Sequence, residues 1–447
     1  MNTPIRDFVL DYNEKNAVRL HMPGHKGKDF LGFEKYDITE IDGADVLYSA
    51  EGIIKESEEN ASSLFGSFRT FYSCEGSSLC IKAMLAIVAS QRRDKNKKAK
   101  ILAARNVHKA FIYGCALCDI DVEWMYPSVS SHLCTCVITP DELDRKLSQL
   151  SEDVDGVYIT SPDYHGQTSD VRALSEVCER YSVPLLVDNA HGAYLGFLEK
   201  SLHPINNGAY MCCDSAHKTL PVLTGGAYLH LSEKAMDSVS YVENMMALMG
   251  STSPSYLILQ SLDMCNKYLS EGYKERLAAT VKRIGKLKYE LADCGAVIED
   301  SEPLKLVLNL SASGVYVDTV LSALGEYAIV PEFYDNGHMV FMFTPENTES
   351  DYTVLSEALS SVNYGSYTDA ESFVYDYETV DRGLTIRDAV FSSKETVCVK
   401  NSEGRICASP AITCPPAVPP IVSGEIISRN AIDCMLYYGI DKIEVVK

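Results

Sequence analysis

The chain has 447 residues, enough for two to three domains and a sizeable buried core. Hydrophobic residues make up 46% and charged residues 23%, the balance of an ordinary soluble globular protein, which excludes wholesale disorder, a collagen-like fibre and a coiled-coil rod. With 62 acidic against 40 basic residues the net charge is −22, a field that repels nucleic acid and anionic membrane and attracts a cationic small molecule only weakly.

The start, Met1-Asn2-Thr3-Pro4-Ile5-Arg6-Asp7, lacks the basic-then-apolar pattern of a secretory signal. No apolar run is long enough for a bilayer, and the stretch 406–422 is broken by Pro410, Pro415, Pro416, Pro419 and Pro420. The expectation is a cytoplasmic protein whose 15 cysteines are reduced. Cys74-Glu75-Gly76-Ser77-Ser78 precedes an apolar helix predicted over 79–88. Glycine there lets the backbone approach a ligand closely, and hydroxyls at a helix start suit a phosphate; an ordinary serine cap explains the same residues. A short strand over 101–104 leads into Arg105-Asn106-Val107-His108-Lys109, and 110–118 reads as a buried helix. Cys115-x-x-Cys118 followed by Cys134-x-Cys136 comes near a zinc-ribbon spacing. The second pair is one residue short and the first lies in that apolar helix, so no metal is assigned.

Thr139 caps a helix over 140–150 that opens on Pro140 and acidic residues. A strand over 156–160, a helix from the Asp170 cap to about 181, and strands over 183–187, 210–213 and 227–231 follow. Short apolar runs separated by helices predict a mainly parallel α/β sheet. A long helical stretch over 256–294, broken at Gly272, carries the chain toward a second domain. The boundary is placed near 290, with 1–290 as the major domain and 291–447 as a smaller α+β domain. In the latter we expect a strand over 307–310, a helix over 317–326, a hairpin over 330–344 turning at Asn336-Gly337, a helix over 350–362 and an α+β tail from about 368.

In open α/β sheets, ligands bind at the carboxyl ends of the strands. Leu185-Leu186-Val187-Asp188-Asn189-Ala190-His191 puts an acid at such an end, and Asp214-Ser215-Ala216-His217-Lys218-Thr219 follows the next strand. Pyridoxal phosphate needs this pair: a lysine for its aldehyde and an anion facing its protonated ring nitrogen. A helix cap at Asp188 and a surface lysine at 218 are the competing reading. His108, just past a strand, is of the type that lies flat on an aromatic ring.

These segments, in this order and preceded by His21-Met22-Pro23-Gly24-His25-Lys26-Gly27, resemble the bacterial Orn/Lys/Arg decarboxylase family of PLP fold-type I enzymes. The likeness extends to Asp37-Ile38-Thr39-Glu40-Ile41-Asp42-Gly43, to Glu51-Gly52-Ile53-Ile54-Lys55-Glu56, to Ile159-Thr160-Ser161-Pro162-Asp163-Tyr164-His165-Gly166 and to Pro419-Pro420-Ile421-Val422-Ser423-Gly424-Glu425. It looks like the short branch, without the N-terminal wing domain, and 370–447 resembles the family's C-terminal part. The resemblance implies a homodimer or larger homo-oligomer with pyridoxal 5'-phosphate bound, acting on arginine, lysine or ornithine. Lys218 would carry the cofactor and Asp188 would pair with its ring nitrogen. His108 and Ala190 would flank the ring, and His217 would lie beside the reacting centre. Gly76, Ser77, Ser78 and Ser215 would hold the phosphate. Glu425 is the candidate for the cationic end of the substrate, and His25 and Glu51 could reach a site across a dimer interface.

The chain departs from the family pattern in three places. Cys74-Glu75 stands in the phosphate loop where Thr-Asn is usual, Asn189 replaces a glutamate, and Pro416-Ala417-Val418-Pro419 loses a glycine. A glutamate beside a phosphate dianion is repelled unless it points away. Two rival functions stay open: transamination, with Arg382, Arg387, Arg405 or Arg429 clamping the substrate carboxylate, and a non-catalytic relative that binds the cofactor or a partner.

Overall fold

The computed structural model describes residues 1–92, 96–128, 132–150, 153–366, 375, 379–410 and 417–447. Pro415 and Pro416 of the C-terminal signature lie outside them. The chain folds as two compact units. The first comprises Met1–Ala99, Ser151–Ile159 and Val171–Glu275; the second comprises Lys100–Leu150, Thr160–Asp170 and Arg276–Lys447. These limits differ from the expected cut near 290, which falls inside the helix Tyr273–Asp293. The chain enters and leaves each unit more than once, which a single linear boundary does not express.

In the first unit the strands lie in the order Arg69–Ser73, Ala227–Leu231, Met211–Asp214, Leu185–Asp188, Gly156–Thr160. Leu185–Asp188 and Met211–Asp214 are parallel, and Ala227–Leu231 is antiparallel to both its neighbours. Every residue of the three strands from 185, 211 and 227 is buried. That is why they read as unbroken apolar runs rather than alternating ones. The helix Gly76–Gln91 packs against Ala227–Leu231 and the helix Val239–Met249. It is longer than predicted because small and polar residues at its two ends extend the apolar middle. The helical stretch after 256 breaks as expected into Tyr256–Ser270 and Tyr273–Asp293, with Gly272 at φ +71°.

In the second unit Lys100–Ala104 and Asp121–Met125 form a parallel pair joined by the helix Lys109–Cys118. Four short strands run antiparallel in the order Phe333–Tyr334, His338–Met342, Lys305–Asn309, Ile298–Glu299, and the first two make the expected hairpin. The helices Val317–Glu326 and Glu349–Ser360 pack together. The tail pairs Lys394–Cys398 with Lys442–Val446 beside the helix Arg429–Tyr437, over a small core of Val399, Ile421, Ile427, Ile432 and Val445. Among the described residues no helix is long and apolar enough to cross a membrane, and every cysteine is a free thiol.

Candidate cofactor and active site

Two acids, Asp188 and Asp214, leave neighbouring strand ends in the first unit, with Asp188 opposite Cys213. Their surroundings differ. Asp214 Oδ2 is hydrogen-bonded to His203 Nε2 at 2.9 Å and His230 Nε2 at 3.2 Å, and its Oδ1 accepts from Asn189 Nδ2 at 2.7 Å. Burial pushes the Asp214 carboxyl up, and the two histidines overcome that push and hold it well below the usual carboxylate range. Asp188 is as deeply buried, yet its hydrogen bonds come from neutral groups. Oδ2 accepts from Tyr158 Oη at 3.2 Å, and Oδ1 from the Ala190 amide at 3.2 Å and the Cys213 thiol at 3.7 Å. Burial raises the Asp188 pKa, and the charge of Lys218 pulls it part of the way back. The charge of Lys218 thus reaches the buried Asp188 carboxylate.

Lys218 sits on the short helix Ala216–Thr219, and its Nζ lies 3.0 Å from His191 Nε2. His217 donates from Nδ1 to the Gly226 carbonyl at 3.0 Å, because a carbonyl can only accept. Burial lowers the His217 pKa, so the ring is neutral and carries its lone pair on Nε2. Ser215 Oγ donates to Ser77 Oγ at 2.7 Å, which brings the two segments chosen for the phosphate into contact. Ser78 is half-buried one residue further along the helix. Glu75 is exposed and accepts a hydrogen bond from the Ser251 amide. That contact occupies the carboxylate whose charge raised the question of repulsion. Cys74 donates to the Ser255 carbonyl at 3.6 Å, and burial pushes its thiol up to about 12.

Gly76 opens its helix at φ +69°, where a Cβ would meet no atom within 4 Å. The need for glycine is therefore conformational, and an open space lies beside its Cα. Gly76→Ala is expected to lower the stability of the cofactor-free protein by about 1–2 kcal/mol, the strain of a left-handed L-residue, as read by urea denaturation.

The other candidates have the following local settings. His108 belongs to the second unit, where Nδ1 accepts from the Ala110 amide at 3.1 Å and caps Lys109–Cys118. Glu425, also in the second unit, is buried with Oε2 3.0 Å from Arg105 Nη2 and 2.7 Å from the Val422 amide, while Oε1 makes no hydrogen bond. In the first unit His25 Nε2 pairs with Asp37 at 3.2 Å, and Glu51 is exposed. The four arginines of the transamination reading are all engaged. Arg382 holds the Val122 carbonyl, Arg387 those of Ala116 and Leu117, Arg405 the Glu395 carboxylate, and Arg429 that of Asp433.

Sequence reasoning passed over His191 and Tyr158. His191 stood in a quoted motif without a role, and only the fold brings it to Lys218. Tyr158 carried a usable signal, since a tyrosine in a wholly apolar strand needs a partner for its hydroxyl.

Comparison with known proteins gives the family. The Orn/Lys/Arg decarboxylase major-domain family model matches residues 3–307. The chain is 28% identical over 459 residues to an arginine decarboxylase of Bacillus subtilis (strain 168), covering 96% of this chain and 92% of that one. It is 26% identical over 460 residues to an arginine decarboxylase of Bacillus anthracis, covering 96% and 92%. Among solved structures, the lysine decarboxylase of Francisella novicida superposes with a TM-score of 0.81 at 17% identity, over all of this chain and 81% of that one. The fold is that of the PLP fold-type I enzymes, a mainly parallel sheet flanked by helices with smaller antiparallel sheets. A buried carboxylate bonded only by neutral groups, a lysine whose charge it feels, and paired serines at a helix start form a donor set that fits pyridoxal phosphate.

Proposed function

Because this chain belongs to the Orn/Lys/Arg decarboxylase family, whose members depend on pyridoxal phosphate, we propose that it converts arginine to agmatine and carbon dioxide. Arginine is preferred to lysine and ornithine because several curated relatives matching along nearly the whole chain carry the name arginine decarboxylase. The observation that carries the reading is Asp188, a buried carboxylate that feels the charge of Lys218 and whose hydrogen bonds all come from neutral groups.

Bound pyridoxal phosphate supplies an electron-poor ring that takes up the electron pair released when the α-carboxylate departs. The chain's residues do the rest. Asp188 would keep a proton on the ring nitrogen, because burial leaves its charge in need of a positive partner. Lys218 would hold the cofactor through its aldehyde, and its amine is the group that would return a proton to the substrate's Cα. His191, 3.0 Å from Lys218 Nζ, takes part in that proton movement as a hydrogen-bond partner. Ser77, Ser78 and Ser215 would donate to the phosphate, and Gly76 would let it approach the helix start. Ala190 would lie against the ring, and His217 would offer Nε2 beside the reacting centre. The arginines that a transaminase would use for the carboxylate are held elsewhere, which favours loss of that group over its retention. The working form is a cytoplasmic homodimer, in which His25 and Glu51 complete the partner's site.

The purified protein loaded with cofactor and given each amino acid separately tests this. Agmatine with carbon dioxide from arginine is expected, formed faster than the diamines from lysine and ornithine. A 2-oxo acid without carbon dioxide identifies a transaminase, and no product from any of the three overturns the reading.

A further inference from the structure

Asn189 and Asp214 meet at a buried contact in the first unit, and neither has a part in the function above. Asn189 stands between Asp188 and Ala190, and Asp214 ends the strand Met211–Asp214 just before the segment 215–218. Asn189 Nδ2 donates to Asp214 Oδ1 at 2.7 Å, and both residues are fully shielded from solvent.

Asp214 is braced from two further elements. Its Oδ2 accepts from His203, which precedes the turn Pro204–Asn207, and from His230 in the strand Ala227–Leu231. His203 Nδ1 accepts from the Ile205 amide at 3.4 Å, so its proton is on Nε2 and goes to Asp214. His230 Nδ1 lies 2.8 Å from Thr70 Oγ1. Burial keeps that ring neutral, so with Nε2 donating to the carboxylate, the Thr70 hydroxyl donates to Nδ1. Phe65 packs on both rings, with centroids 5.5 Å from His203 and 4.6 Å from His230. The thiols of Cys80, Cys212 and Cys213 and the Tyr228 hydroxyl also feel the Asp214 charge, and burial raises all four, so they stay neutral beside it.

Asn189 in turn pins the bend that carries Asp188. Its amide donates to the Cys213 carbonyl at 2.9 Å, and its carbonyl accepts from the Gly192 amide at 2.8 Å. Its side chain fills the space beside Gly192, where a Cβ would lie 2.1 Å from Asn189 Oδ1 and 2.6 Å from Leu195 Cδ1. Oδ1 has no hydrogen-bond partner, so the contact with Asp214 decides which end of the carboxamide points which way. An acid in place of Asn189 would set two carboxylates face to face, so the asparagine and the acid at 214 are a matched pair.

We propose that Asp214, held by His203 and His230, is a positioning residue for the proposed reaction: through the Asn189 carboxamide it fixes the bend 188–192 and with it the placement of Asp188, Ala190 and His191. The proposal rests on the cofactor reading of Asp188 and Lys218 given above. Asp214 acts through Asn189 and not on the substrate.

Asn189→Asp, the double variant Asn189→Asp with Asp214→Asn, and wild type are compared by absorbance titration with pyridoxal phosphate, by kcat and KM, and by urea unfolding. In Asn189→Asp the two carboxylates share a proton at low pH, which keeps the contact; as pH rises both ionise and repel, and the bend is displaced. Relative to wild type at the same pH, cofactor affinity and kcat are expected to be nearly unchanged at about pH 6 and about 10-fold or more lower at about pH 9, with KM little altered. The double variant reverses the hydrogen bond: the new amide at 214 donates to the new acid at 189, and its carbonyl still accepts from both histidines. It should recover most of the loss at the higher pH. A purely structural contact would shift the urea midpoint without this reversible, pH-dependent change in cofactor affinity. Asn189→Ala, which removes the carboxamide without adding charge, carries the test if Asn189→Asp does not fold, and is expected to weaken cofactor binding about 10-fold at both pH values. Wild type that takes up cofactor while Asn189→Asp and Asn189→Ala bind it equally tightly overturns the positioning role alone, as does a double variant no better than Asn189→Asp. Wild-type protein that takes up no cofactor overturns the underlying reading as well.

Discussion

Lys218→Ala protein is expected to lose at least about 10³-fold in kcat/KM and all covalent attachment of the cofactor. Borohydride reduction followed by peptide mass spectrometry reads the second effect directly: the wild-type peptide containing residue 218 gains the cofactor's mass and the variant's does not. Retained visible absorbance and full activity in a folded variant would remove Lys218 from the chemistry. Asp188→Asn separates the acid from the lysine. It keeps the attachment at Lys218 but is expected to lose about 10²–10³-fold in activity, because the ring nitrogen no longer faces a negative charge. A linkage argument adds a stability signature. Burial raises the Asp188 pKa above its unfolded value. Between those two values the folded protein binds the extra proton, so ionised Asp188 opposes folding of the cofactor-free protein at neutral pH, and the penalty fades as pH falls through the folded pKa. Asparagine removes the charge, and Tyr158 Oη can turn to accept from the new amide. Cofactor-free Asp188→Asn should therefore unfold at no lower urea concentration than cofactor-free wild type, while the loaded variant unfolds earlier than loaded wild type. A structural acid that merely caps its strand end would lower both.

The same contrast shows what a single sequence can disclose. The strand Gly156–Thr160 and the helix Pro140–Leu150 were readable because apolar content and a local cap coincide. The helix Ile53–Phe65 carried no such mark. Its first turn is capped by Asp45, whose carboxylate accepts from the Gly52 and Ile54 amides at 2.8 and 3.0 Å across a loop, so the cap lies outside any local window. The strand Asp121–Met125 places Asp121 and Glu123 half-buried between buried Val122 and Trp124, and two acids in five residues hid it. At the candidate site the strand-end acid and the lysine were legible because each sits where a parallel sheet presents its ligands. The division of labour between Asp188 and Asp214 was not. It depends on His203 and His230, which arrive from a loop and from an antiparallel strand and commit Asp214 to a buried network. The contact of His191 with Lys218 is of the same kind, since two turns from different strands create it.

Glu425→Ala is expected to destabilise the protein by about 3–5 kcal/mol, the effect of leaving a buried guanidinium without its carboxylate. Arg105 and Glu425 are both almost fully buried, with Nη2 and Oε2 3.0 Å apart. The guanidinium also donates to the carbonyls of Pro419 and Pro420 and lies over the Trp124 ring, 5.1 Å from its centroid. Trp124 is the chain's single tryptophan, so its fluorescence reports on this pair during urea unfolding. Arg105→Met alone should cost about as much, because it strands the carboxylate instead. The double variant Arg105→Met with Glu425→Leu should recover much of the loss, since neither buried charge remains, and the cycle isolates their coupling. The resemblance that singled out Glu425 as a partner for the cationic end of the substrate makes a different forecast. Its Oε1, which makes no hydrogen bond, is the atom such a substrate would have to reach. On that reading Glu425→Gln, which keeps the shape and one acceptor, raises KM for arginine by about ten-fold or more with little change in unfolding. If stability falls while KM holds in the folded fraction, Glu425 is a structural counter-ion of Arg105, and the substrate's distal charge is met elsewhere. If KM rises at unchanged stability, the ion pair opens to admit substrate.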